Sequence, residues 1–230
     1  MRLPFTRTAL VLAAATLALG GTAVPAQAER VVNAPASKRI AKEGAGLKTA
    51  IFAGGCFWGV EGVFSHVKGV KSAVSGFHGG AAGTAKYSSI VTGTTAHAEA
   101  VMITYDPYVV RYDELLRIFF SVVTDPTQLN RQGPDVGAHY RSALVPLSVE
   151  QGAVAKAYLK QLDKSGLWKK PVVTKIEKHR KFYPAEGYHQ DYMVKNPYSR
   201  YIMRFDAPKV AALKVKIPRD YRAEFLEDGD

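Results

Sequence analysis

The sequence is short of cysteine: its 230 residues contain one, Cys56. A single cysteine excludes an intrachain disulfide, and its distance from the first apolar run excludes lipid attachment there. The chain also lacks an apolar run of the roughly 20 residues that a membrane-spanning helix needs, and it contains no internal repeat. These absences exclude a disulfide scaffold and a repeat protein. They leave the chemistry of one unpaired thiol as the main question.

The first residues have the pattern of a secretory signal peptide. Arg2 and Arg7 precede an apolar run over residues 9–19, and small residues follow up to Ala28. This order of a basic, an apolar and a small-residue region is typical of a cleaved signal. We therefore expect residues 1–28 to be a signal peptide cleaved after Ala28, and the mature protein to be secreted, in a Gram-negative host to the periplasm. Retention of the segment as a membrane anchor is the open alternative.

The mature chain is long enough for one domain. About 200 residues remain after cleavage, which suffices for a single sizeable core. We expect a flexible leader over residues 29–47 and one domain over residues 48–230 that includes a wrapping C-terminal tail. Arg2 and Arg7 contribute two of the formal charge of +11, so the mature chain keeps +9. These charges lie in short, scattered groups, which indicates a solvated basic surface with no nucleic-acid partner.

The succession of periodic segments predicts an α/β fold of the α+β type. Strand-like and helix-like stretches follow in the order β-α-β-β-α-β, which is typical of a two-layer α/β plait with a ferredoxin-like core. Beyond Tyr198 we see little periodicity, and with Pro208 and Pro218 this predicts a long irregular C-terminal tail. The predicted strands are 49–53, 70–77, 98–105, 140–145 and 172–176, and the predicted helices lie around Val60–Val67, at 112–123 and from Ser148 to Lys164.

Cys56 lies between a predicted strand and a predicted helix. Free backbone N–H groups and the positive end of the helix dipole stabilise an anion at such a turn, so we expect a lowered pKa for the thiol. Gly54 and Gly55 leave the backbone open to a substrate, and Phe57 and Trp58 offer an apolar wall for a methyl or thioether group. The alternative interpretation is an inert, buried cysteine.

The residues around Cys56 resemble those of a known family. Gly55-Cys56-Phe57-Trp58-Gly59 is similar to the signature of A-type peptide methionine sulfoxide reductases. The sequence departs from the family pattern at Ala96, His139 and the pair Phe77-His78. Further similar blocks are Thr95–Val101, Arg131–Ser142, Phe182–Glu186, Tyr188–Tyr192 and Asn196-Pro197.

The resemblance implies a plait fold, methionine S-sulfoxide as substrate, free or in oxidised proteins, and no metal or organic cofactor. Apart from the resemblance, we expect a monomer that is free of the membrane once the signal is removed. The implied roles are Cys56 as nucleophile, Glu99 as proton donor to the sulfoxide oxygen, Tyr87 and Tyr140 as hydrogen-bond donors to that oxygen, Asp135 as a further polar residue, and Phe57 and Trp58 as the pocket for the substrate methyl.

These residue types suit the reduction of a sulfoxide. The oxygen leaves only when it is protonated or strongly hydrogen-bonded, and a glutamate beside apolar walls has a raised pKa that keeps its proton near pH 7. The products are methionine and a sulfenic acid on Cys56. Since no second cysteine can reduce that group, we expect an external thiol reductant: a thioredoxin-like protein, glutaredoxin or glutathione, or a small thiol.

Three other functions fit parts of the sequence. A cysteine hydrolase would pair Cys56 with a histidine base, but no protease signature is present. His97-Ala98-Glu99 matches the H-x-E of zinc deaminases, which also need a later P-C-x-x-C that one upstream cysteine cannot supply. A secreted binding domain with an inert thiol remains the non-enzyme alternative. We interpret His97, His139 and His189 as structural, and His66, His78 and His179 as surface residues.

Overall fold

A six-stranded sheet forms the centre of the protein, whose structure, a computed structural model, describes residues 30–226. The expected signal peptide over residues 1–28 lies outside the described residues. The strands are β1 (Lys48–Gly54), β2 (Val70–His78), β3 (Ala98–Tyr105), β4 (Arg131–Gln132), β5 (Asp135–Val136), β6 (Ser142–Val145), β7 (Lys175–Ile176) and β8 (Phe182–Pro184).

Six α-helices and two π-helical segments accompany the strands. Within residues 30–226 no helix is long and apolar enough to cross a membrane. One π-helical segment, Phe119–Val123, continues α3, and the other, Ile202–Asp206, leads into α6. The helices are α1 (Phe57–Ser65), α2 (Tyr87–Ile90), α3 (Tyr112–Ile118), α4 (Val149–Asp163), α5 (Tyr192–Lys195) and α6 (Ala207–Lys216).

The sheet confirms the predicted plait. Its order is β7-β6-β1-β3-β2-β8, and the four inner strands β6, β1, β3 and β2 are joined by antiparallel pairings. The strands of a β-α-β-β-α-β unit take the same spatial order, fourth, first, third, second. The short strands β7 and β8 extend the two edges, β7 parallel to β6 and β8 antiparallel to β2.

The main core lies between one face of the sheet and the helices α1, α3, α4 and α6. Phe52 of β1 contacts the rings of Phe64, Tyr112 and Phe119 at centroid distances of 5.6, 5.8 and 5.1 Å. The apolar spacing of α1 places Val60, Val63 and Phe64 in this core, each fully buried. A rigid core therefore holds the first turn of α1 at the end of β1.

The start of α4 confirms the prediction of a helix that begins at Ser148. Ser148 precedes the helix, and its hydroxyl accepts a hydrogen bond of 3.1 Å from the backbone N–H of Gln151. This bond satisfies one of the four backbone donors that a helix start leaves open.

The prediction of a long irregular tail is wrong. Residues 202–216 form the second π-helical segment and α6, which packs against α1. Pro208 occupies the first turn of α6, where its missing N–H has no helical partner to lose. The proline that we interpreted as a helix breaker therefore lies at a helix start.

The leader segment differs from the flexible chain that we expected. Residues 30–47 form no helix or strand, yet Val32, Ala34 and Ala41 are buried. Ser121 holds Ala34 through a 3.1 Å hydrogen bond from the backbone N–H, and the Tyr158 hydroxyl donates to the carbonyl of Pro35 at 2.7 Å. The segment is therefore packed along α3 and α4 as part of the domain.

Candidate active site

Cys56 lies at the turn between β1 and α1, as the sequence predicted. Gly55 has a φ of +103°, a conformation that favours glycine. Gly54 packs against the ring of Phe119, so closely that an added Cβ would lie 2.6 Å from a ring carbon. This turn leaves Cys56 as the residue that precedes the first turn of α1, and its side chain is 8% exposed.

The thiol of Cys56 differs from our expectation in its acidity. Burial raises its pKa, and the negative charges of Glu99, Asp206 and Asp135 raise it further. A hydrogen bond from the backbone N–H of Trp58 lowers it, as a helix N-terminus does, but this effect is smaller than the desolvation. The prediction of a lowered thiol pKa is therefore wrong for the free protein, because it considered the helix terminus without the burial of the thiol and the acids around it.

Glu99 lies inside the site on β3 and is 1% exposed. Its Oε2 accepts a 3.0 Å hydrogen bond from the backbone N–H of Phe57, the first residue of α1. Burial raises the pKa of Glu99 to about 8 against the lowering effect of that bond, and Asp135 and Asp206 raise it further. The carboxyl group is therefore mostly protonated at neutral pH and lies at the helix start beside the thiol.

Phe57 and Trp58 line the site with aromatic surface. The Phe57 ring packs against Phe77 at 5.8 Å and against Tyr87 at 6.5 Å. Trp58 stacks on Tyr192 with centroids 3.7 Å apart and planes 8° apart. These contacts fix both rings next to Cys56, where they form an apolar wall.

Tyr87 and Tyr140 lie near the thiol and the carboxyl. The backbone N–H of Tyr87 donates to Oε1 of Glu186 at 2.9 Å, which holds the start of α2. Burial raises the pKa of Tyr87 to about 12 and also raises that of Tyr140, and the charges of Glu99 and Cys56 raise both. Both hydroxyls thus keep their protons at neutral pH and remain hydrogen-bond donors.

Asp135 comes from the hairpin of β4 and β5, and it has a partner that the sequence did not indicate. The hydroxyl of Tyr201 donates a hydrogen bond to Oδ2 of Asp135, and the ring of Tyr201 meets Trp58 edge-on at 5.9 Å. Desolvation raises the pKa of Tyr201, as do the charges of Cys56, Asp206 and Asp135. Tyr201 therefore joins the site from the segment that we expected to be irregular.

The histidines divide into structural residues and one that faces the site. His97 is buried and receives a 3.2 Å hydrogen bond from the N–H of Gly80, while its other ring nitrogen lies 3.0 Å from the carbonyl of Ala81. It thus holds the loop before α2, in agreement with a structural role. His78 is 1% exposed, so the surface position that we expected is wrong. The chain after β7 lies over it: the backbone N–H of Arg180 donates a 3.0 Å hydrogen bond to Nε2 of His78, and the ring of His179 stacks on it at 6.2 Å.

His189 touches the aromatic wall directly. Its Nδ1 accepts a 3.0 Å hydrogen bond from the indole N–H of Trp58, which leaves the proton on Nε2. The Nε2 atom is buried without a protein partner, and the ring lies 5.0 Å from Phe57 and 4.3 Å from Tyr87. This donor next to the pocket is a candidate contact for a polar atom of a substrate.

Residues 30–226 contain no cluster of three or more His, Cys, Asp or Glu side chains that could hold a metal ion. The site instead consists of a buried thiol at a helix start, a protonated carboxyl, tyrosine hydroxyls and an aromatic wall. A plait with such a site defines a candidate thiol-dependent enzyme.

Known proteins are similar to this chain in sequence and in fold. The family model described as peptide methionine sulfoxide reductase matches residues 48–220. A peptide methionine sulfoxide reductase MsrA 2 of Mesorhizobium japonicum is 54% identical over 180 residues, which cover 78% of this chain and 92% of the relative. Methionine sulfoxide reductase A of Corynebacterium diphtheriae has a similar structure, with a TM-score of 0.57 and 34% identity over 67% of this chain and 77% of that one.

The chain belongs to the peptide methionine sulfoxide reductase family, and its activity is the reduction of methionine sulfoxide. This confirms the family, fold and enzyme class that the sequence predicted. The cysteine hydrolase and the inert binding domain are not favoured.

Proposed function

We propose that the protein reduces the S epimer of methionine sulfoxide with Cys56 as nucleophile and Glu99 as acid. The observation that most supports this is the position of Glu99, whose carboxyl lies at the backbone N–H of Phe57, the residue after the thiol. Burial raises its pKa to about 8, so it holds a proton at pH 7. In this proposal the substrate methyl packs on Phe57 and Trp58.

The oxygen of the sulfoxide would receive hydrogen bonds from Glu99, Tyr87 and Tyr140 while Cys56 attacks the sulfur. The thiol proton replaces the one that Glu99 gives to the oxygen, so thiolate forms only as the attack begins. This matches a thiol whose pKa is raised in the free protein. Overall the oxygen moves to the cysteine sulfur: the substrate is reduced by two electrons to methionine, and Cys56 is oxidised by two electrons to a sulfenic acid.

The second half of the cycle needs an external thiol, because Cys56 is the one cysteine in the chain. The first reductant thiol displaces water from the sulfenic acid and forms a mixed disulfide, and a second thiol releases Cys56. A thioredoxin-like protein, glutaredoxin with glutathione, or a small thiol supplies these two equivalents. The substrate is free methionine sulfoxide or the oxidised side chain in a protein.

We propose that the enzyme works outside the cytoplasm, as a monomer that leaves the membrane when its signal is cleaved. The support is the sequence pattern of residues 1–28, with Arg2 and Arg7 before the apolar run and small residues up to Ala28. Its compartment in a Gram-negative host is the periplasm. N-terminal sequencing of exported protein distinguishes cleavage after Ala28 from a retained anchor.

The first experiment measures dithiothreitol-supported turnover of the separated S and R epimers by the wild type, Cys56→Ser and Glu99→Gln. We expect turnover of the S epimer only, no turnover by Cys56→Ser, and a loss of about 10²- to 10⁴-fold in kcat/KM for Glu99→Gln, which keeps the side-chain shape but cannot donate an acidic proton. Glu224→Gln on the surface is the matched control. Unchanged turnover by folded Cys56→Ser, or turnover without added thiol, contradicts the proposal.

A further inference from the structure

A charged pair is buried next to the site. Asp206 ends the second π-helical segment and is 0% exposed, and Lys209 in the first turn of α6 is 3% exposed. The Nζ atom of Lys209 lies 3.3 Å from Oδ1 of Asp206. The removal of two charges from water costs several kcal/mol per ion, so a fully buried pair that serves only packing would be replaceable by apolar residues.

The pair lies directly under the first turn of α1. A Cβ added to Gly59 would lie 2.1 Å from Oδ1 of Asp206 and 3.2 Å from Nζ of Lys209. Gly59 is three residues after Cys56, so both charged groups meet α1 at a position within one helical turn of Cys56. Only a glycine at this position allows the carboxylate to approach the helix so closely.

The same segment connects the pair to two other parts of the site. Tyr201, five residues before Asp206, packs against Trp58 and donates its hydroxyl hydrogen bond to Asp135. Asp206 raises the pKa of Cys56, of Glu99 and of Tyr201. One element thus contacts the helix that bears the thiol and acts electrostatically on the thiol and the acid.

We propose that Asp206 and Lys209 are positioning residues of this reductase, which hold the Tyr201 segment against the start of α1 and balance each other's charge next to Cys56 and Glu99. Neither residue need touch substrate. The inference rests on the proposed role of Glu99, because the pair matters to turnover only if that carboxyl supplies the proton.

The sign of the effect follows from the charges that face Glu99. Cys56 and Phe57 approach it from the start of α1, Tyr87 from α2, Asp135 and Tyr140 from the segment before β6, and Asp206 from the C-terminal segment. Lys209 and Tyr201 lie next to Asp206 in that segment. Asp206→Asn removes a negative charge and leaves the lysine, so the pKa values of Glu99 and Cys56 fall. Lys209→Met has the opposite effect, because it removes the positive charge that lies 3.3 Å from the Asp206 carboxylate.

Two measurements on the intact protein test this, with Lys216→Met on the exposed face of α6 as matched control. The first is the rate of iodoacetamide alkylation of Cys56 against pH, which requires no turnover. At fixed pH we expect Asp206→Asn to react about threefold faster or more and Lys209→Met about threefold slower or more. The second is kcat/KM against pH, whose alkaline limb shifts to lower pH in Asp206→Asn and to higher pH in Lys209→Met.

The double variant Asp206→Asn/Lys209→Met keeps the test valid if either single change prevents folding. With both charges removed we expect alkylation within about twofold of the wild type and an alkaline limb near its original pH. Shifts of the same direction in both single variants, no shift in either folded single variant, or a double variant whose alkylation rate differs from the wild type by more than about threefold overturn the proposal. If the wild type reduces neither epimer, the proposed function fails, but the alkylation rates still test the pair.

Discussion

Among single residues, Glu99 is subject to two opposite effects on the pKa of its carboxyl group. Its burial disfavours the charged form, while the hydrogen bond from the Phe57 N–H favours it. The desolvation is larger, and its pKa rises to about 8 from an ordinary value of 4.5. The folded protein therefore binds this proton more tightly than the unfolded chain does.

This difference makes stability depend on pH in a defined window. A group whose pKa is raised by folding stabilises the protein fully below its unfolded pKa and loses that contribution as pH rises through the folded value. We expect the free energy of unfolding of the wild type, relative to Glu99→Gln, to fall by a few kcal/mol between about pH 4.5 and about pH 8, since one pKa unit corresponds to about 1.4 kcal/mol.

Urea unfolding of both proteins at several pH values measures that difference, and the subtraction removes the contributions of the histidines and surface acids. Glu224→Gln, at an exposed position, serves as the control. A difference between the wild type and Glu99→Gln that is also constant across the window would show that the carboxyl titrates normally.

The site residues that the resemblance covers were more predictable than those beyond it. Phe57 and Trp58 follow the thiol directly, and the resemblance indicated Glu99, Tyr87, Tyr140 and Asp135, all of which the structure places around the thiol. Tyr201 and Asp206 carry no local signal of their role, because they reach the site only through the packing of α6. The prediction for the pKa of the Cys56 thiol was wrong for the same reason, because the packing around the thiol has no local signal in the sequence.

At the level of elements, the two glycines of α1 each have a side chain packed closely against them, whereas the glycine of α4 does not. Gly59 leaves room for Asp206, and Gly62 leaves room for the end of the flexible Met193 side chain. Gly152 of α4 has free space, since its nearest non-local neighbour would lie 3.8 Å from an added Cβ. Alanine is the better helix residue wherever a methyl group fits.

We expect the three Gly→Ala changes to differ in sign and size. Gly152→Ala should stabilise the protein by about 0.5–1 kcal/mol, through helix propensity. Gly59→Ala should destabilise it by about 1–3 kcal/mol, because the methyl group overlaps the buried carboxylate, and Gly62→Ala should fall between them. Chemical denaturation of the three variants measures this order. Stabilisation by Gly59→Ala would mean that the Asp206 side chain moves away easily.

The elements also show where sequence patterns are sufficient. Strong periodicity predicted β1, β3 and α4 to within a residue or two of their ends. The pattern failed for α6, where Pro208 is compatible with a helix start as well as with a break. Only the packing of the helix against α1 decides between these two possibilities.

At the scale of the whole molecule, the segment over residues 30–47 connects parts that are distant in sequence. Glu43 accepts hydrogen bonds from the Tyr105 hydroxyl and, at 3.0 Å, from the backbone N–H of Tyr112. Arg117 donates to the carbonyl of Ala34 at 3.0 Å. Composition alone suggested flexibility here. That expectation was wrong because a segment without periodicity can still pack along helices as an extended chain.

Removal of this segment should therefore destabilise the domain. A protein that begins at Lys48 loses the buried Val32, Ala34 and Ala41 and the partners of Tyr158 and Tyr105. We expect its free energy of unfolding to be lower by more than about 3 kcal/mol than that of a protein that begins at Glu29. Equal urea midpoints for the two proteins would show that the segment adds nothing to stability.

The position of this segment also determines the order in which the protein can fold. Its residues are synthesised before the rest of the domain, yet the Ser121 hydroxyl that binds Ala34 lies 87 positions further along the chain, and the Tyr158 hydroxyl that binds Pro35 lies 123 positions further. Closure of such long loops is slow, because its entropic cost precedes any contact. The beginning of the domain therefore docks among the last parts, and a chain that is still being made or exported cannot complete its native fold.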